Sequence, residues 1–178
     1  RLLRDREDSA ELRLREATRR ALGFAEPPAG FDRPARVALL AGRPGQAAAL
    51  SAALGTCVRQ LDRRGILALG PNERLDALVL ADGGTVPCAA ALVPALRAQR
   101  ATRAAVLLVQ TSGPGADAEA AQALDMGAQD ALAGPFDAEE LALRLAARLA
   151  AKRRADRLRD DLHEGLDAAV TDPLTGLY

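Results

Sequence analysis

Three continuous apolar runs, Val37 to Ala41, Ala77 to Ala81 and Val106 to Val109, constrain this fold most. Each has strand length and none alternates with polar residues, so each expects cover on both faces, as in a parallel sheet. Stretches of helical periodicity lie between them: Gln46 to Leu54, roughly Ala89 to Gln99, Ala116 to Met126, and Ala138 onward. Weaker strands fit at Thr56 to Leu61 and Asp130 to Ala133, and a poorly written helix near Gly65 to Glu73 is short or replaced by a loop. This alternation predicts a doubly wound α/β domain over residues 34 to 151, with a five-stranded parallel sheet and right-handed crossovers. Hydrophobic residues make up 49% of the chain, yet it has three Phe, one Tyr and no Trp, so the core is built from Ala, Leu and Val.

The flanks read differently. Residues 1 to 23 mix seven Arg and five acidic residues with Leu3, Ala10, Leu14, Ala17 and Ala21, the pattern of a solvated helix with a thin apolar stripe. Gly23, Pro27, Pro28 and Gly30 then open a linker. At the other end the last helix continues from about Ala138 to Val170. Leu141, Leu145 and Leu149 can pack on the sheet, and Ala155, Leu158, Leu162, Leu166 and Ala169 make the 152 to 170 segment apolar on one side, so it wants a partner helix. Thr171, Asp172 and Pro173 stop that helix and could start another, and Thr175 to Leu177 reads as a turn through Gly176. The same residues would also serve as a mobile tail.

Several function classes are excluded. The 24 basic and 24 acidic residues cancel, which argues against a nucleic-acid surface. Cys57, Cys88 and the single His163 cannot supply the four close ligands of a zinc site, and the thiols read as reduced and buried or half-buried in a cytoplasmic protein. No stretch approaches the ~20 apolar residues of a membrane helix, so membrane insertion is not expected. Beginning at Arg1 rather than Met, the chain reads as part of a longer protein.

The order of elements, together with Met-Gly-Ala-Gln-Asp-Ala-Leu-Ala-Gly-Pro-Phe-Asp-Ala-Glu-Glu-Leu at 126 to 141, resembles the response-regulator receiver domain, a flavodoxin-like fold. Receivers accept a phosphoryl group on an Asp after the third strand. Acidic residues after the first strand help to hold Mg²⁺, a Thr or Ser after the fourth reads the phosphate, and a Lys after the fifth contacts it. The resemblance puts Ala41 and Gly42 at the metal-binding acids, Ala81 at the acceptor, Gln110 at the hydroxyl switch and Gly134 at the Lys. All five have lost the functional group, which implies a pseudo-receiver without metal, cofactor or catalysis of its own. A register shifted by one would offer Asp82 as acceptor with Thr111 as switch, but still no metal acids and no Lys. Receivers commonly pair through their fourth helix, fifth strand and fifth helix, which here implies a homodimer face including Met126, Asp130, Leu132, Leu141 and Leu145.

Thr171-Asp172-Pro173-Leu174-Thr175-Gly176-Leu177 after a charged helix resembles the opening of GGDEF domains, the diguanylate cyclases that make cyclic di-GMP from two GTP. Glu11 to Thr18 resembles the helix joining the two receivers of PleD-type cyclases. These likenesses imply a linker helix at 1 to 24 after an upstream receiver, a degenerate second receiver at 34 to 151, a signalling helix at 152 to 170 through Leu158, Leu162 and Leu166, and a GGDEF domain opening at 171 to 178. The parent protein would then be a nucleotidyltransferase using GTP and Mg²⁺, served by a sensor histidine kinase in a bacterial phosphorelay. Two other readings remain at this stage. Gly42-Arg43-Pro44-Gly45 after the first strand raises a nucleotide-binding domain, although its spacing fails both the dinucleotide fingerprint and the P-loop. The other is a stand-alone interaction scaffold with no cyclase attached.

Overall fold

The computed structural model describes residues 34–40, 43–70, 72–81 and 89–170, with side chains described to Asp160 and at Leu162. Five strands, β1 (Val37–Leu40), β2 (Val58–Leu61), β3 (Ala77–Ala81), β4 (Val106–Thr111) and β5 (Asp130–Ala133), form one parallel sheet in the order β2-β1-β3-β4-β5. Between them run α1 (Gln46–Leu54), α2 (Arg63–Leu67), a 3₁₀ turn (Ala89–Leu92) leading into α3 (Val93–Ala98), and α4 (Ala116–Asp125). After β5 comes α5 (Ala138–Val170). Pro34–Leu149 forms one compact unit, and α5 from Ala150 onward belongs to a second. No described helix is long and apolar enough to cross a membrane.

Strand geometry divides the apolar runs into two cores, because successive side chains point to opposite faces. On one face Ala38, Leu40, Leu78, Leu80, Leu107 and Val109 pack with Ile66 of α2, Val93 and Leu96 of α3 and Ala123 of α4. On the other, Val37, Leu39, Ala77, Val79, Val106 and Leu108 meet Ala47 and Leu50 of α1 and Leu141, Leu145 and Leu149 of α5. This division follows from topology. The chain steps outward from β1 to β2 and then returns past β1 to β3, so crossovers of one hand put α1 on the face opposite α2, α3 and α4.

Local chemistry sets the boundaries, and several differ from the sequence expectation. The second strand starts at Val58 rather than Thr56; the Val58 N–H donates to Ser51 Oγ at 3.0 Å, which anchors it to α1. The poorly written helix is the single turn of α2, started by Asp62, whose Oδ1 accepts from the Gly65 N–H at 2.6 Å. Beyond it the Glu73 N–H donates to the Gly70 carbonyl at 3.0 Å. Ahead of α3 the backbone coils as 3₁₀, since Pro94 has no N–H to close a bond onto the Ala90 carbonyl. Asp137 caps α5 by accepting from the Glu139 and Glu140 N–H groups at 2.9 and 3.0 Å, and the two glutamates favour the positive end of the helix dipole. The turn into α1 needs Gly45, which sits at φ +84 where a side chain would be strained.

Arg97 closes the edge of the domain near β4 and β5. Its guanidinium donates to the carbonyls of Gly127, Arg103 and Ala105, at 2.8 to 3.1 Å, and to Gln129 Oε1. Gln129 Oε1 also accepts from the Leu107 N–H at 2.7 Å, so one cation ties the end of α4 to the start of β4. Desolvation lowers the Arg97 pKa from its ordinary value. Replacing Arg97 by Met keeps the aliphatic stem but strands these acceptors, and should cost about 1–3 kcal/mol of stability in urea unfolding. Arg97→Lys should recover little of it, because an ammonium cannot span the same carbonyls.

Candidate functional site

The carboxyl ends of β3, β4 and β5 bring three of the sequence-selected positions together. Ala81, the last residue of β3, is buried and lies in register with Gln110 of β4. Gln110 is itself 1% exposed. Its Nε2 donates to the Thr111 carbonyl at 3.1 Å and to the Gly134 carbonyl just past β5. The Gly134 N–H returns to the Thr111 carbonyl at 2.9 Å, closing a cycle across the two strand ends. Gly134 has φ +139, a conformation that disfavours any side chain there, Lys included. Gln110 Oε1 is buried with no hydrogen-bond partner, as is Gln46 Oε1 at the start of α1. Ala41, Gly42 and Asp82 lie outside the described residues, as do Cys88, residues 1–24 and the run from Asp172, Pro173 and Leu174 to Thr175 and Gly176.

A methyl group, a carboxamide and a glycine supply neither a nucleophile nor a metal-binding carboxylate at these three positions. Thr111, the switch residue of the shifted register, is fully buried, and its hydroxyl donates inward to the Ala116 carbonyl at 2.8 Å, with Leu132 O at 3.3 Å as a second acceptor. That use ties β4 to the first turn of α4. Among the described residues no group of three or more His, Cys, Asp or Glu could hold a metal ion. The sequence reading missed the Gln110 to Gly134 link. It stopped the fourth strand at Val109, whereas the ladder runs to Thr111, opposite Ala133. A polar residue directly after four apolar strand residues was the available signal.

The expected contact face needs correction. Leu141 and Leu145 are 0% exposed and belong to the core beneath α5, so neither can meet a partner. Met126 and Leu132 are only partly exposed and pack against the two cores. Asp130 is held inside the domain by Arg148 at 3.0 Å and Arg144 at 3.4 Å. The large apolar side chain that α4 offers to solvent on this side is Leu124, and Arg144 and Arg148 of α5 are partly exposed. Along the second unit, Leu158 is half-buried and Leu162 is half exposed, while the Leu166 side chain is not described.

Described residues also line two concave surfaces elsewhere. A cleft of about 410 Å³ at the amino ends of β1 and β2 is lined by Arg36, Thr56, Cys57, Arg59 and residues 72–75. Cys57 is exposed there, contrary to the buried or half-buried thiol expected, and lies just before the second strand. Glu73 pairs with Arg59 at 3.4 Å, and its carboxyl is held below the usual range first by the Gly70 N–H and then by Arg59. A shallower groove of about 360 Å³ between α1 and α5 is lined by Ala53, Leu54, Glu139, Ala142, Leu143 and Ala146.

Leu145→Ala should lower stability by about 2–5 kcal/mol in denaturant unfolding, the cost of a buried cavity. Its sedimentation at native-like conditions should match the native protein, since the residue contributes nothing to the surface.

No family model and no curated protein matches the chain. Solved structures do. The chain is similar to the receiver domain of the TMAO respiratory system response regulator TorR, with 22% identity over 65% of this chain and 97% of that one, at TM-score 0.54. The chemotaxis response regulator CheY4 of Vibrio cholerae gives 21% identity over 66% and 99%, at 0.53. A beryllofluoride-activated NtrC4 receiver domain, solved as a dimer, gives 20% identity over 66% and 98%, at 0.54. Identities this low speak for the fold alone, and they agree with the strand order, the two-sided helical cover and the register described above: residues 34–149 have the receiver fold of response regulators.

Proposed function

We propose that this chain is a receiver-like adaptor that works by contact and does not itself accept a phosphoryl group, within a two-component response regulator whose further domain is a GGDEF diguanylate cyclase. The observation that carries the first half is the filled strand-end site. Ala81 stands at the acceptor position with Gln110 in register beside it, and the Gln110 amide spends both hydrogens on Thr111 and Gly134 carbonyls. A phosphoryl oxygen arriving there would meet no Lys, no hydroxyl and no metal-binding group at these positions.

The second half rests on the sequence resemblance at Asp172 to Gly176 and on the length of α5, a 33-residue helix. In this reading a sensor histidine kinase phosphorylates an upstream receiver of the same cytoplasmic protein, homodimer contacts strengthen, and paired helices beyond Ala150 hold two GGDEF domains face to face. Each GGDEF domain would bring one GTP with Mg²⁺. Cyclic di-GMP takes one half from each, so dimerisation raises the rate by proximity. The corrected contact side supports pairing through Leu124, Arg144 and Arg148 rather than through the buried leucines.

Incubation with acetyl phosphate and Mg²⁺ should leave the intact mass of this chain unchanged; a gain of one phosphoryl group, mapped to Asp82, overturns the adaptor reading. The protein extended past Tyr178 to its native end should yield cyclic di-GMP from GTP and Mg²⁺ by mass spectrometry, and no product even with the upstream receiver activated would rule out the cyclase assignment. Leu124→Arg should weaken self-association without loss of fold, and unchanged sedimentation at matched concentration counts against that face.

A further inference from the structure

We infer that Gln110 and Thr111 form a built-in latch that fixes the β4–α4 junction to the β5–α5 junction, a link made by the chain's own amide without any bound group. Two adjacent side chains at one strand end make the side-chain connections. Gln110 is on the face of the sheet that Val106 and Leu108 share with α1 and α5, and it donates to the Gly134 carbonyl and to the Thr111 carbonyl. Thr111 points the other way and donates to the Ala116 carbonyl in the first turn of α4, with the Leu132 carbonyl within reach. The Gly134 N–H closes the ring onto the Thr111 carbonyl.

Both side chains are buried, Gln110 at 1% and Thr111 at 0% exposure, so water cannot substitute cheaply for a bond that opens. Sliding α4 against β5 would break several of these bonds at once. The latch therefore holds one arrangement of the α4, β5 and α5 side, the side that also carries Leu124 and the Asp130 to Arg144 and Arg148 pairs. A polar side chain in so dry a place has a cost, visible in Gln110 Oε1, which has no partner. A Leu or Met would fill the same volume without leaving a buried acceptor, and what the amide adds is the pair of donated bonds.

The latch deepens the adaptor role and rests on that reading for its purpose, since a domain with no phosphoryl to set its contact face needs another way to set it. Its test is independent of phosphorylation. Gln110→Met conserves volume and removes both donated bonds together with the orphan oxygen, so global stability should change little while the junction loosens. In amide hydrogen exchange on the full chain, Gly134 should exchange at least about tenfold faster than in the native protein, with Leu39 and Val79 in the central strands unchanged. Gln110→Asn, an amide one methylene shorter, should show the same local change. Exchange at Gly134 within about twofold of native in both variants overturns the latch, as does an equal acceleration across the whole sheet. Either failure leaves the acetyl phosphate result, and with it the adaptor reading, standing.

Discussion

Everything in this domain depends on keeping β1, β3 and β4 dry on both faces. These strands are buried from end to end, and their side chains divide strictly between two cores that share no helix. With so few aromatic residues, burial comes from many small and medium side chains packed closely, which demands that α1 and α5 approach the sheet through Ala47 and Ala142 as well as through leucines. Close approach has a consequence for composition. Helix α1 is Ala-rich on its outer side too, with Ala48, Ala49, Ala52 and Ala53 exposed, so its helical tendency comes from propensity rather than from an amphipathic stripe.

A sheet covered on both sides has only its ends open, and chemistry must be placed there. At the carboxyl ends of β4 and β5 polar bonds join the backbone instead. Gln110 and Thr111 are the two polar residues in the six-residue β4, both at its last positions, and both direct their donors to backbone carbonyls of neighbouring elements. The same end that could bind a ligand is thus used to join β4, β5 and α4. The amino end is less tightly closed: the cleft beside Cys57 is bordered by exposed Arg36, Arg59 and Arg74, with Glu73 paired to one of them.

Much of this was legible because parallel strands write themselves as unbroken apolar runs. The three central strands, the helices between them and the order of elements could all be read from Val37, Ala77 and Val106 onward. Boundaries were harder wherever a side chain bonds to backbone. The start of β2 depends on Ser51 reaching the Val58 N–H, and the single turn of α2 is set by its Asp62 cap, with the Glu73 N–H bonding back to the Gly70 carbonyl beyond it. The positions Ala81, Gln110 and Gly134 were found by resemblance, but the bond between the last two was not, since it requires knowing that β4 and β5 are neighbours in register. Leu141 and Leu145 satisfied two sequence roles at once, sheet packing and surface contact, and only burial could choose between them.

Within the compact unit, α5 puts two of its sides to different uses. With about 100° of turn per residue, Leu141, Leu145 and Leu149 centre on the side facing the sheet and close one of the two cores. Arg144 and Arg148 fall on a neighbouring side, where both reach Asp130 at the start of β5. The helix thus seals a core with its leucines and holds the edge strand with its arginines, which is why its leucines cannot serve a surface contact as well.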